Sequence, residues 1–210
     1  MNFDPCQTQS DLWRGVSVSV NRPTVSTGFL QLDQYLPGGG WPLGTLTEIL
    51  IENTTVPPLW LIAPALATLS REQHWQAWIA PPSIPYAPAL AAAGIDLSKV
   101  LLIHPRLRND TLWAVEQTLR SGACSAVLFW PWQQNSTVLR RLQLAAERGR
   151  SWGLCFRSCH SIKHHSMAAL RLLFRVNRDG AEISVLKCHG NKPLMGLQLD
   201  RKTDLARGDK

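Results

Sequence analysis

The stretch EILIENTTVPPLW at residues 48–60 decides the fold class, because it reads as a buried strand, a short loop and a helix that begins on proline. In nucleotide-binding α/β domains the loop at this place has the pattern G-x-x-x-x-G-K-[ST]. Its glycines let backbone N–H groups approach the phosphates, and its lysine neutralises them. Residues 52–58 contain neither a glycine nor a lysine. The stretch therefore predicts an α/β architecture without a functional phosphate loop.

Strand and helix patterns alternate on the C-terminal side of this stretch, which predicts a mostly parallel sheet with helices on both faces. Three later strands, separated by turns, predict antiparallel partners at the C-terminal edge of that sheet. The predicted strands are 45–51, 75–80, 99–104, 125–130, 152–157, 169–176, 182–188 and 195–199. The predicted helices are 29–36, 57–72, 85–94, 109–122 and 135–149, and Pro64 is expected to kink or shorten the second of these.

The length of 210 residues and the apolar content of 45% predict one globular domain with a sizeable core. Both ends of the chain are polar and lack periodicity. We therefore expect a flexible N-terminal tail at 1–22, one domain at 23–200 and a flexible basic C-terminal tail at 201–210. The start lacks the pattern of a signal peptide, and no apolar run is long enough to span a membrane, so a cytoplasmic location is expected.

Positive charge is concentrated in the last third of the chain. Residues 1–139 hold seven Lys/Arg and nine Asp/Glu, a balance of −2, whereas residues 140–210 hold fifteen and six, a balance of +9. Such asymmetry favours nucleic acid or an acidic protein as partner, although a solvated basic surface gives the same pattern.

The five cysteines do not predict disulfides or a metal site. Their number is odd, their spacing is irregular, and no export signal precedes them. Cys155, Cys159 and His160 are close in sequence, but Cys155 falls inside a predicted strand and no second ligand pair with matching spacing is present. We therefore expect no bound metal and no cofactor.

The sequence STGFLQLDQYLPGGGWPLGTLTEIL at 26–50 and the sequence TLWAVEQTLRSGACSAVLFW at 111–130 resemble parts of the RecA-type recombinase core. The resemblance covers about residues 24–200 and implies a RecA-like fold. An ATPase of that kind also needs a carboxylate after each of two strands, but Pro81-Pro82 and Trp130-Pro131 stand at those places. Three parts of the ATPase are missing together, so we expect no ATP hydrolysis and no enzymatic activity.

Degenerate RecA-like chains of this size resemble the ImuA/SulA family of the bacterial SOS response. The segments LWRG (12–15), STG…LD…LPGGGWPLG…E (26–48) and AALRLLFRV…LKCHGNKP…LQLD (168–200) are more similar to ImuA. This resemblance implies an accessory protein of mutagenic translesion synthesis that binds the ImuB polymerase-like protein, with RecA and single-stranded DNA as further candidate partners. The alternative is a SulA-like division inhibitor that binds FtsZ.

Candidate residues for contacts with DNA or a partner lie in the basic last third. In a RecA-like core the strand at 152–157 leads to a loop that touches single-stranded DNA, where cations meet phosphates. No aromatic residue lies between 157 and 173, so base stacking is not expected there, and a solvated loop is an equal alternative. The candidates are Arg157, Lys163, His164, His165, Lys187, Lys192, Arg201 and Lys202.

Overall fold

The structure, a computed structural model, describes residues 22–131, 135–178, 180–188, 191 and 193–200. The strands in this part are β1 (Thr24–Val25), β2 (Trp41–Pro42), β3 (Leu46–Ile51), β4 (Trp75–Ile79), β5 (Val100–Ile103), β6 (Cys124–Phe129), β7 (Trp152–Ser158), β8 (Leu170–Val176), β9 (Gly180–Cys188) and β10 (Leu194–Asp200). The α-helices are α1 (Leu30–Tyr35), α2 (Leu59–Ser70), α3 (Ala87–Ala92), α4 (Arg108–Ser121) and α5 (Ser136–Gly149), and 3-10 turns lie at Leu97–Lys99 and Cys159–Lys163.

Eight strands form one sheet in the order β10-β9-β8-β3-β7-β6-β4-β5. The six strands from β8 to β5 are parallel, whereas β9 and β10 add to β8 as antiparallel neighbours. Strand β3 is central, with Ile49 opposite Phe156 on one side and Leu172 on the other. The predicted mixed α/β architecture, with a mostly parallel sheet and antiparallel strands at one edge, is confirmed.

Helices cover both faces of the sheet and bury a separate apolar cluster on each. On one face α1, α2 and α3 pack against alternate strand residues such as Ile49, Trp78 and Phe156. On the other face α4 and α5 pack against the intervening residues, such as Val127 and Cys155. Alternation of side chains along each strand produces this division, and burial on both faces explains why the parallel strands read as continuous apolar runs.

The N-terminal part of the domain adds a small ladder that the sequence did not reveal. Strands β1 and β2 pair antiparallel over two residues, with Val25 opposite Trp41. Gly40 lies so close to β1 that a Cβ atom there would be 2.2 Å from the carbonyl oxygen of Val25. This approach, together with the positive φ angles of Gly38 and Gly39, explains the glycine run in PGGG.

The predicted boundaries agree with the observed elements to within two or three residues. Asn135 caps α5 by accepting a hydrogen bond from the N–H of Thr137 at 2.9 Å, as its residue type predicts. Pro64 does not end α2, which continues to Ser70. None of the helices in the described ranges is long and apolar enough to cross a membrane. The predicted tails at 1–21 and 201–210 lie outside those ranges, whereas Arg22 lies 3.6 Å from the carboxylate of Glu147.

Candidate functional site

The loop between β3 and α2 is built from side chains and prolines rather than from free backbone donors. Asn53 closes the turn, since its Oδ1 accepts from the N–H of Thr55 at 2.9 Å and from its hydroxyl at 2.6 Å. Pro57 and Pro58 carry no N–H, and the N–H groups of Leu59 and Leu61 donate to the carbonyls of these prolines. The start of α2 therefore lacks most of the free donors that make a helix N-terminus an anion site.

Aromatic side chains fill the space beside the carboxyl ends of the strands on the α2 face. Trp60, in the first turn of α2, contacts Phe29 and Phe174 with ring centroids 5.5 and 5.8 Å away. Trp130, directly after β6, stacks on Phe156 at 5.0 Å. Trp130 thus packs against the core, and the aromatic rings occupy the side of the sheet on which a nucleotide-binding fold would hold its ligand.

The exposed large hydrophobic side chains are concentrated at the β4–β5 side of the molecule. Residues 75–113 contribute eight of the fourteen such side chains that the described ranges hold. We call these eight the apolar edge: Trp75, Ile84, Tyr86, Leu97, Leu101, Leu102, Leu107 and Trp113. Clustered exposed apolar residues of this kind mark surfaces that bind other proteins.

The topology explains the exposure of two of these residues. Strand β5 is the last strand of the sheet, so Leu101 and Leu102, which point to opposite faces, are both more than a third exposed. The loop after β4 is held against β5 because the N–H of Ala80 donates to the carbonyl of Ile103 at 2.8 Å. This loop displays Tyr86 with 72% of its surface exposed.

One cation belongs to the apolar edge. The Nζ of Lys99 lies 5.7 Å from the ring centroid of Trp75, a cation–π distance that keeps the ammonium group over the indole. Asp96, the residue directly before the 3-10 turn, accepts hydrogen bonds from Ser98 that lower the pKa of its carboxyl. The edge therefore combines apolar surface with a cation, and the carboxylate of Asp96, next to Leu97 in the chain, already has a partner.

Sequence reasoning did not find the apolar edge. The segment at 99–104 reads as an ordinary buried strand, and nothing in its letters shows that it ends the sheet. The available signal was the segment 81–86, in which Ile84 and Tyr86 stand among three prolines. Loops run over the surface, so large apolar residues in a proline-rich loop are expected to be exposed.

The structure separates the predicted basic residues into two groups. Arg157 is buried and paired with Glu48, and Lys187 is half-buried, with its Nζ donating to the carbonyl of Ser166 at 3.0 Å. Burial, with a smaller contribution from Arg171, lowers the pKa of Lys187. Arg157 is therefore not exposed at the surface and Lys187 is only partly so, and a contact of either residue with DNA or a partner stays a prediction.

Lys163, His164 and His165 are exposed at the end of the 3-10 turn that follows β7, where a contact with DNA or protein remains a prediction. Lys192, Arg201 and Lys202 lie outside the described ranges. The structure thus brings three of the eight candidates together at the surface.

The Cys/His segment does not assemble a metal site in the part of the chain that the structure describes. Cys155 lies inside β7 with no exposed surface, and burial, with the nearby Glu48, raises the pKa of its thiol well above the ordinary value. His160 is exposed at the start of the 3-10 turn after that strand.

Comparisons with known proteins match this chain to one described family. The family model described as "Cell division inhibitor SulA" matches residues 44–153. Cell division inhibitor SulA of Edwardsiella piscicida is 36% identical over 94 residues, which are 45% of this chain and 56% of that protein. SulA of Klebsiella aerogenes is 27% identical over 150 residues, or 70% and 80% of the two chains.

A protein with the other name is also similar. Protein ImuA of Caulobacter vibrioides (strain NA1000 / CB15N) is 28% identical over 137 residues, which are 63% of this chain and 56% of that protein. The chain thus spans little more than half of the Edwardsiella and Caulobacter proteins. Among solved structures, SulA from Pseudomonas aeruginosa is 27% identical with a TM-score of 0.46, and the match covers 54% of this chain and 97% of that chain.

Proposed function

The chain belongs to the SulA family, and on that premise we propose that it is a non-catalytic regulator of the bacterial response to DNA damage that acts by binding other proteins. One observation carries the proposal: an α/β sheet without phosphate-binding groups after β3 exposes a concentrated apolar edge along β4 and β5. A surface of that composition binds protein more readily than it performs chemistry.

Three features support a role without catalysis. The loop at 52–58 supplies no lysine, and its prolines remove backbone donors. No carboxylate stands directly after β4 or β6, where an ATPase of this architecture would hold groups for water and magnesium. We propose that the sheet is a RecA-like core that kept its architecture and lost its nucleotide site.

The first candidate role is that of an ImuA-like adaptor in the cytoplasm, which binds an ImuB-like protein during mutagenic translesion synthesis. Support comes from the similarity to the Caulobacter ImuA protein. It also comes from the segments at 26–48 and 168–200, which resemble ImuA and lie largely outside the residues 44–153 matched by the SulA model. In this role RecA and single-stranded DNA are secondary partners.

The second candidate role is that of a SulA-like division inhibitor that binds FtsZ. Support comes from the relatives named cell division inhibitor SulA and from the SulA family model, whose match at 44–153 runs from β3 to the start of β7. Both roles use a protein-binding surface, so they differ in the partner and not in the type of site.

A direct binding comparison separates the two roles. The full chain, purified with an affinity tag, would be mixed in turn with purified ImuB-like protein, RecA and FtsZ from one bacterium that encodes this chain. Retention of the ImuB-like protein supports the adaptor role. Retention of FtsZ, together with reduced sedimentation of its polymers in the presence of GTP, supports the inhibitor role, and retention of none of the three contradicts the proposal.

The apolar edge is tested in the same assay. We expect the double change Ile84→Ser and Tyr86→Ser to weaken partner binding at least tenfold, because exposed aromatic and aliphatic anchors contribute most of the affinity of such surfaces. The matched control is Leu144→Ser with Met195→Ser, two exposed positions on α5 and β10. Equal loss in both double variants would contradict the assignment of the site to this edge.

A further inference from the structure

A buried ionic cluster lies on the sheet face that α4 and α5 cover. Glu48 of β3, with no exposed surface, is flanked by Arg157 of β7 and Arg171 of β8. Arg157 Nη1 pairs with Glu48 Oε1, and Arg171 Nε lies 2.8 Å from Glu48 Oε2. We call these three residues the ion cluster.

The ion cluster holds more positive than negative charge. One carboxylate faces two guanidinium groups, and Lys187 stands opposite Arg171 in the register of β8 and β9. Burial first and the charge of Arg171 second lower the pKa of Lys187. Unbalanced buried charge is costly unless hydrogen bonds or a counter-ion compensate it.

The chain segment at 159–168 compensates two of the cations. Arg171 donates from Nη2 to the carbonyl of Ser161 at 2.5 Å and from Nη1 to that of Ile162 at 3.3 Å. Lys187 donates to the carbonyl of Ser166. The segment therefore lies over the cluster, and its backbone carbonyls accept from both Nη groups of Arg171 and from Lys187.

Arg157 is not compensated in the same way. Only its Nη1 has a partner, and in the described ranges neither Nε nor Nη2 makes a hydrogen bond although both are buried. These two N–H groups form the side of a guanidinium that binds both oxygens of a phosphate or carboxylate group at once. An unsatisfied buried donor pair on a cation requires a partner such as water or an ion.

We propose that the free side of Arg157, together with the surplus charge of the ion cluster, binds a small oxyanion of the phosphate class beneath the segment at 159–168. A doubly charged anion matches the surplus left by one carboxylate among Arg157, Arg171 and Lys187. The site is separate from the lost nucleotide position, because Arg157 points to the face of Cys155 whereas α2 covers the opposite face.

Thermal unfolding of the full chain tests the proposal. Inorganic phosphate is titrated in the low millimolar range at constant ionic strength, with chloride as the replaced anion. We expect a saturable rise of several degrees in the unfolding midpoint, because a ligand that binds only the folded state stabilises it by mass action. A linear rise without saturation is the general effect of an excluded salt and would contradict the proposal.

Three variants locate the anion. Arg157→Lys keeps the charge beside Glu48 but removes the paired donors, so the saturable rise should be lost. Glu48→Gln should lower the midpoint without phosphate and bind phosphate several-fold more tightly, since the positive surplus grows. Lys163→Gln, an exposed cation on the same segment, is the control and should behave as the parent chain.

A second measurement does not depend on the stability of the variants. In the parent chain the NMR resonance of the Arg157 Nε–H group should move on addition of phosphate and saturate with the same midpoint concentration. An unmoved resonance, or loss of the thermal effect in Lys163→Gln with its retention in Arg157→Lys, would place the anion on the surface and overturn the inference.

Discussion

At the scale of the residue, Gly149 shows how a single missing atom allows two helices to approach. Gly149 ends α5, and a Cβ atom there would lie 1.9 Å from the carbonyl oxygen of Leu119 in α4. Backbone cannot move aside as a flexible side chain can. The identity of this residue is therefore set by the packing of α4 against α5 rather than by helix propensity.

The change Gly149→Ala should destabilise the protein by about 1–3 kcal/mol, the usual cost of overpacking. Helix propensity alone predicts that the change stabilises the protein, since alanine is favoured over glycine in helices. Urea unfolding measures the difference, with Arg148→Ala at an exposed neighbouring position as control. An increase in stability for Gly149→Ala would show that the two helices are not in such close contact.

A second residue-scale prediction concerns Cys124. Burial raises the pKa of its thiol to about 11 from an ordinary 9.0. At pH 8 the reactive thiolate fraction should thus be about a hundredfold smaller than for an ordinary thiol. In a variant that keeps only Cys124, alkylation of the folded protein should be slow and should accelerate with pH up to about 11, whereas the urea-unfolded chain should react at the ordinary rate. Fast labelling of the folded protein at pH 8 would contradict the burial of this side chain.

At the scale of the element, the start of α2 is unsuited to binding phosphate. A helix that follows a parallel strand usually offers free N–H groups and a positive dipole end to phosphate. Here Pro57 and Pro58 replace two of the donors, and Glu52 adds a negative charge to the loop. The start of α2 therefore lacks groups that hold phosphate in nucleotide-binding folds.

Isothermal titration of the full chain with Mg-ATP should accordingly give no saturable heat. The physical reason is the absence of lysine from the loop at 52–58 and of N–H groups at Pro57 and Pro58. The comparison is a variant in which a glycine-rich sequence with a lysine replaces residues 52–58 and so supplies backbone N–H donors and a positive charge. Saturable binding of Mg-ATP to the unchanged chain with micromolar affinity would contradict the prediction that this loop holds no phosphate.

At the scale of the whole molecule, charge and apolar surface are separated along the chain. The apolar edge lies within residues 75–113, and the surplus of +9 lies within residues 140–210. Part of that surplus is internal, because Arg157 and Arg171 are buried. The accessible part includes Lys163, Arg175 and Arg178, which are exposed.

Single-stranded DNA should bind weakly, without sequence preference and with steep dependence on salt, if this surface meets DNA. The triple change of Lys163, Arg175 and Arg178 to Gln should then lower the affinity. Each lost phosphate contact should reduce the slope of log affinity against log salt by about 0.7.

The matched control changes Arg71, Arg106 and Arg120, three exposed cations of the first two thirds of the chain, to Gln. An equal loss of affinity for single-stranded DNA in both triple variants would indicate an effect of net charge rather than of this surface. Unchanged DNA binding with loss of a protein partner would assign the basic surface to protein.

The sequence by itself determined the order and type of the main elements. Alternating apolar strands and capped helices follow from local periodicity, so β3 to β10 and all five described helices were predictable. The absence of a phosphate loop was also legible, because it depends on residue types at fixed spacing in 52–58.

Only the tertiary structure decided which residues are accessible. Strand order places β5 at the open edge, which turns Leu101 and Leu102 from expected core residues into exposed surface. The pairing of β3 with β7 and β8 buries Arg157 beside Glu48. From the sequence, a charged residue at the end of a strand is expected at the surface. Exposure depends on neighbours that are distant in sequence, as with Glu48 and Arg157, which are 109 positions apart. Local patterns carry no information about such neighbours.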